Sequence, residues 1–320
     1  MTRPRSQIIS LADTPFYHCV SRCVRRAFLC GEDRYSGQNF DHRKPWLVDR
    51  LALLGEVFAI DLAAYAIMSN HYHVVLHVDP ARSRLWSRDD VIRRWLRLYK
   101  GDPLVHCYLR GELRSEAEYR QLDRIVETWC ERLTSISWFM RCLNEYMARR
   151  ANKEDDCTGR FWEGRFKSQA LLDEAALLSC MAYVDLNPVR AGISETLGES
   201  EFTSLQARIR GAESENHDST ECPFPGLMPF QAGIERDGES AFLPIDLRNY
   251  IALVDWTGRI ARADKKGLIP KEVPSALSDL NLNRAQWCTL ALEIQKESIT
   301  MFNGQDKLAA RERSRIKKAA

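Results

Sequence analysis

Two histidines, His71 and His73, flank Tyr72 at the start of a segment that reads as a strand. Successive strand side chains alternate faces, so the two imidazoles point one way and Tyr72 the other. Two imidazoles one strand step apart can hold a single divalent cation. Two surface histidines would leave the same pattern, and in a chain with seven histidines the spacing alone does not choose between them. His77 shares that face further along and reads as structural. Downstream, Tyr183 and Asn187 stand four apart within a helical pattern and so share a helix face. A phenol can serve as a nucleophile and an amide oxygen can complete a metal shell. A core tyrosine with a helix-ending asparagine is the plain alternative. Tyr146 is a second candidate nucleophile, because Arg149 and Arg150 follow it and cations favour a phenolate.

Arg160, Trp162, Arg165, Phe166 and Lys167 interleave cations with rings. That mixture suits a single nucleic-acid strand, guanidinium groups meeting phosphates while rings stack on bases. An edge strand with Trp162 in the core and its cations solvated fits equally. Arg22, Arg25 and Arg26 are weaker candidates of the same kind. A net charge of +2 conceals an asymmetry: residues 1–100 carry 16 Lys+Arg against 10 Asp+Glu, and residues 151–250 carry 9 against 18. The last twenty residues return to 6 against 2. Basic ends around an acidic middle are compatible with nucleic-acid contact at selected faces.

These residues need elements to position them. Residues 15–24 read as a first strand. Residues 44–54 read as a helix that breaks at Gly55, and 57–67 with 71–78 as two strands joined by a short hairpin at Met68–Asn70. Residues 80–133 look like a helical insertion, with one helix capped by Ser87 and a second from about 115 to 133. A helix near 136–151 and a strand ending at Leu172 complete the series. A helix capped by Asp173 then ends at Asn187-Pro188, because proline lacks the donor that continues the ladder. The expected class is therefore α+β: a ferredoxin-like (RRM-like) antiparallel sheet with helices on one face. It should occupy residues 1–210, followed by a linker at 211–241 rich in Glu, Ser, Pro and Gly. A mainly helical C-terminal appendage at 242–320 ends in a basic tail from Lys307 onward.

Ten cysteines are scattered with no CxxC pair, which argues against a zinc ribbon and for reduced, buried thiols. No apolar run reaches membrane length and the N-terminus has no secretory h-region, so the expectation is a cytoplasmic protein with no membrane association.

Three segments in register, Met68-Ser-Asn-His-Tyr-His73, Gly159-Arg-Phe-Trp-Glu-Gly-Arg-Phe-Lys-Ser168 and Tyr183-Val-Asp-Leu-Asn-Pro-Val-Arg-Ala-Gly192, resemble the REP-associated tyrosine transposases. These are relatives of the transposases of single-strand insertion sequences. His18-Cys-Val-Ser-Arg22 is similar to the family's opening strand. The resemblance spans about residues 10–200 and departs from the family at the 80–133 insertion and beyond about 210. It implies an HUH metal site with His71 and His73 as ligands to Mg²⁺ or Mn²⁺, Asn187 as third ligand, and Tyr183 as nucleophile. It also implies single-stranded or hairpin DNA as partner and a nucleoid-associated location, with Arg22, Arg160, Trp162, Arg165 and Lys167 as the candidate contacts read from the cation-and-ring pattern. Cleavage through a 5′-phosphotyrosine would exchange one phosphodiester for another, in keeping with the lack of a Walker-type loop. A homodimer, a Tyr183 helix exchanged between protomers, a domesticated DNA-binding protein without cleavage, and a replication-initiation or relaxase-type nicking enzyme stay open at this point. A phosphoesterase that hydrolyses with water is a remote further reading.

Overall fold

The computed structural model describes residues 8–24, 29–32, 37–214, 224, 226–231, 241–261 and 274–303. Arg25, Arg26 and the basic tail from Lys307 lie outside the described residues. The elements run β1 (Phe16–Arg22), α1 (Arg43–Val57), β2 (Ile60–Ile67) and β3 (His71–Val78). Four helices fill the insertion: α2 (Pro80–Arg84), α3 (Arg88–Leu96), α4 (Pro103–Leu109) and α5 (Glu116–Leu133). There follow α6 (Ile136–Glu154), β4 (Lys167–Leu171), α7 (Glu174–Asp185), α8 (Asn187–Arg190) and α9 (Ser204–Ser214). The chain then forms α10 (Leu247–Ala261), α11 (Ser275–Asp279) and α12 (Arg284–Asn303).

The four strands form one antiparallel sheet in the order β2-β3-β1-β4, and the fold is α+β. Alternation along β1 and β3 sends Tyr17, Cys19, Tyr72, Val74 and Leu76 to one face, where they join Leu47, Leu51 and Leu54 of α1 and Phe139, Leu143 and Met147 of α6. Each such fully buried side chain contributes roughly 1.5–3 kcal/mol. The insertion extends this core through Val91, Trp95, Leu122 and Trp129, with Trp95 stacked on Trp129 at 5.1 Å. Reciprocal capping boxes, Ser87 with Asp90 and Ser115 with Glu118, start α3 and α5.

The opposite face corrects the expectation of helices on one side only. Ala64 and Ala66 of β2, Val75 of β3 and Leu171 of β4 pack there against Leu178, Met181 and Ala182 of α7. The C-terminal helices join the same core through Tyr250, Leu253, Trp287 and Ile294. The physical reason lies in β2, which reads Ile-Asp-Leu-Ala-Ala-Tyr-Ala-Ile: apolar residues on both faces leave no side for water.

Two further expectations are revised. Helix α1 does not break at Gly55; it continues to Val57. Gly226, at φ +81°, passes so close that a Cβ there would lie 2.5 Å from the Gly55 Cα, so two glycines make a backbone crossing rather than a helix stop. The expected linker at 211–241 includes residues that pair with β2: Leu62 N–H donates to Gly226 O at 2.8 Å and Met228 N–H to Leu62 O at 2.8 Å. The expected helix end at Asn187-Pro188 lies within two residues of the observed end of α7 at Asp185. Pro188 then sits in the first turn of the separate α8, where a missing donor costs nothing, and the turn closes at Gly192 with φ +69°.

Candidate active site

The face covered by α7 carries the histidines. Register places Arg22 opposite His71, Val20 opposite both His73 and Lys167, and His18 opposite Gln169. His71 and His73 lie with ring centroids 4.9 Å apart at 76°. The shared face anticipated from strand alternation is therefore present. A third imidazole joins them: His18 Nε2 lies 2.9 Å from His73 Nδ1, the rings stacked at 5.1 Å. At the strand's start, His71 Nδ1 meets Asn70 Oδ1 at 2.6 Å. In both candidate ligands Nδ1 is the engaged nitrogen, which leaves Nε2 as the one that could coordinate, the arrangement that outer-shell partners impose on metal-binding histidines.

Burial sets the protonation of this cluster. His18 and His73 are 0% exposed and His71 is partly exposed. Desolvation lowers His18 to about 4, with the Gln169 side chain opposing the shift and His71 adding to it. Desolvation, helped by the Arg22 cation, likewise lowers His71 to about 4. His73 falls well below the ordinary histidine value, chiefly through burial and then through His71 and His18. All three rings are thus neutral at pH 7, the state in which imidazole binds a metal.

Helix α7 brings Tyr183 onto this cluster because Asp173 caps its start and its apolar face packs on β2, β3 and β4. The Tyr183 ring stands edge-on to His73 at 5.7 Å and to His18 at 6.3 Å. Within the single chain, Tyr183 and the histidines stand together. Asn187 follows one turn later, 9% exposed, and its Nδ2 has no hydrogen-bond partner among the described residues. The Arg190 guanidinium lies 5.5 Å from the Tyr183 ring centroid and donates to Gln295 Oε1 at 3.3 Å, while its buried Nε has no partner among the described residues. Tyr146, the other candidate nucleophile, is on α6 across the sheet and accepts from Arg150 at 2.6 Å. It faces the other core and cannot serve this site.

The cation-and-ring segment divides. Arg160 and Arg165 are exposed, and Lys167 is partly buried on the histidine face. Arg22, on that face too, lies 4.0 Å from the Glu163 carboxylate. Trp162 is 9% exposed, donates to Asn144 O at 2.8 Å and meets Tyr72 edge-on at 5.7 Å. It is a core residue, which corrects its assignment as a base-stacking platform. An indole flanked by Phe161 and two spaced arginines has no pattern that separates a core ring from an exposed one.

Three functional candidates escaped the sequence reading: His18, Gln169 and Arg190. His18 and Arg190 sit inside quoted motifs, and Gln169 follows the second by one residue. Only strand register and the helical path past Pro188 show where these side chains meet.

Among the described residues no group of three or more His, Cys, Asp and Glu is arranged to hold a metal ion. The candidate ligands are two neutral imidazoles with engaged Nδ1 atoms and the amide oxygen of Asn187, since an amide nitrogen donates and does not ligate. Neutral imidazoles on one sheet face are chemically suited to a divalent cation, with Asn187 Oδ1 as the candidate third ligand. No described helix is long and apolar enough to cross a membrane.

Comparison with known proteins places little beside this chain. No family model matches, and no curated protein does. Among solved structures, the chain is similar to a REP-associated tyrosine transposase bound to a REP hairpin, at 12% identity and a TM-score of 0.33. The match covers 75% of this chain and 97% of that one.

Proposed function

We propose that this protein cleaves and rejoins single-stranded DNA at hairpin-flanked sites, with Tyr183 as nucleophile and a Mg²⁺ or Mn²⁺ ion held by His71, His73 and Asn187. The observation that carries the reading is the Tyr183 ring 5.7 Å from His73, a phenol seated beside paired neutral imidazoles on one sheet face. The strand order β2-β3-β1-β4, with α1 and α6 together on the other face, supports a ferredoxin-like core for the catalytic unit.

In this scheme Tyr183 Oη attacks the scissile phosphorus and the bond to the 3′-oxygen breaks. A 5′-phosphotyrosine forms, and the phenolic proton passes to the departing 3′-hydroxyl side. A free tyrosine, with pKa about 10, is almost wholly protonated at pH 7. Arg190 over the ring favours negative charge on the phenol oxygen as it develops. A divalent cation bound at the histidines would withdraw charge from the phosphate and align it with the attacking oxygen. Arg22 and Lys167, on the same sheet face, are set to meet flanking phosphates. Rejoining reverses the exchange with a new 3′-hydroxyl, so no ATP is consumed.

The test is incubation with single-stranded hairpin oligonucleotides and Mn²⁺. A covalent adduct lost in Tyr183→Phe is expected; no adduct with any hairpin substrate would refute cleavage. A second reading, DNA binding without cleavage, draws on burial: His73 is 0% exposed and Tyr183 7%. Hairpin binding without any adduct would select it.

A further inference from the structure

A line of polar side chains runs away from His73 and ends in the C-terminal helix. His73 Nδ1 and His18 Nε2 are 2.9 Å apart on neighbouring strands. His18 Nδ1 is the ring's other nitrogen, and Gln169 is the residue directly opposite His18 on β4. Both His18 Nδ1 and Gln169 Oε1 are buried without a hydrogen-bond partner among the described residues, a complementary donor and acceptor on paired residues. The other end of the same amide is engaged: Gln169 Nε2 donates to Glu297 Oε2 on α12.

That bond sets the direction of the whole line. Glutamate accepts, so Gln169 presents Nε2 to Glu297, which leaves Oε1 as the amide atom available to His18 on the paired position. An Oε1 facing His18 calls for a proton on His18 Nδ1, which leaves His18 Nε2 as an acceptor. Only His73 Nδ1–H can then fill the 2.9 Å contact, and a proton on Nδ1 turns the lone pair of His73 onto Nε2.

We propose that His18 is a positioning residue for the metal ligand His73, held in its tautomer by Gln169 and through it by Glu297 of the C-terminal helix. The proposal rests on the metal-site reading above and adds to it the part played by α12. The C-terminal region, beyond the span that resembles the transposases, would then act on the site through this line of polar side chains as well as through packing.

Two measurements on the full chain test it. Long-range ¹H–¹⁵N spectra of metal-free, histidine-labelled protein should show His73 protonated on Nδ1, assigned against His73→Gln. His73 protonated on Nε2 would overturn the relay. Mn²⁺ binding followed by electron paramagnetic resonance should weaken about 10–100-fold in His18→Phe, as loss of an outer-shell partner does. His18→Gln, which restores an acceptor oxygen, should recover most of that loss, and Glu297→Gln should shift the His18 and His73 nitrogen signals. A folded His18→Phe binding Mn²⁺ like the parent would also overturn the proposal. If the parent chain holds no Mn²⁺, the metal-site reading fails, while the metal-free tautomer still decides the relay. If the parent forms the DNA adduct and His73 carries its proton on Nε2, the relay alone fails.

Discussion

The Tyr250 hydroxyl donates to Asp185 Oδ2 at 2.6 Å, joining α10 of the C-terminal region to the last turn of the helix that carries Tyr183. The other carboxylate oxygen accepts from the Ser204 hydroxyl at 2.7 Å and from the Leu205 N–H at 3.1 Å. Asp185 is fully buried, and desolvation raises its pKa against the pull of these donors. One carboxylate thus ties three helices together, two residues from the candidate nucleophile.

Tyr250→Phe removes one charge-assisted bond in a dry setting and should cost about 1.5–3 kcal/mol in urea denaturation. Asp185→Ala strands three donors and should cost more, about 3–5 kcal/mol. A change below about 0.5 kcal/mol in Tyr250→Phe would show that the carboxylate does not bind α10 to α7.

The depressed histidines make a prediction about acid. In the unfolded chain they take up protons near pH 6.5, whereas His18 and His71 in the fold do so only near 4. Between those values the unfolded state binds more protons, so the metal-free protein should lose stability as pH falls from 6.5 to 4. The loss is at most about 1.4 kcal/mol per pH unit for each group. His71 contributes less than His18 because its ring is partly exposed. Arg22, Lys167 and Arg190 are cations on or near that face and act in the same direction, while Glu297 opposes them. Chemical denaturation across this range should show a steeper slope for the parent than for His18→Gln; equal slopes would contradict a neutral buried His18.

DNA affinity should separate surface cations from core rings. Arg160→Ala and Lys167→Ala should each weaken binding and reduce the slope of log affinity against log salt by about 0.7–0.9. Trp162→Ala should instead lower stability by about 3–5 kcal/mol, since it empties a core site and removes the indole's bond to the Asn144 carbonyl. A stable Trp162→Ala protein with selectively lost DNA binding would restore Trp162 as a stacking platform.

What was legible in the sequence follows the reach of each signal. Period-two alternation put His71 and His73 on one face, and a four-residue helical step put Tyr183 beside Asn187; both are local. His18 meets His73 across 55 positions and Gln169 meets Glu297 across 128, so those partnerships depend on strand register and helix docking. Two-faced burial was present in the alanines of β2, yet short side chains read as neutral until α7 is seen packed on them. Gly55 read as a helix stop because propensity is blind to the Gly226 backbone that crosses α1, whereas the stop read at Asn187-Pro188 lies within two residues of the end of α7.

The cis arrangement gives the sharpest prediction. Tyr183 lies beside the histidines of its own chain, 5.7 Å from His73, and α7 packs on β2, β3 and β4 of the same sheet. Moving α7 to a partner would uncover Leu177, Leu178, Met181 and Val184, four buried apolar side chains. At roughly 1.5–3 kcal/mol each, that exposure disfavours exchange unless the partner's helix replaces it fully. A mixture of His71→Ala and Tyr183→Phe proteins should therefore form no adduct, although each retains half of the site. Tyr183→Phe alone should keep its fold and its Mn²⁺ affinity, because only a hydroxyl is lost, while adduct formation falls at least 1,000-fold. Tyr146→Phe should cleave within about twofold of the parent, since Tyr146 faces the opposite core. Restoration of activity on mixing would mean that the working assembly exchanges α7. Peptide mapping of the adduct to Tyr146 would remove Tyr183 as nucleophile.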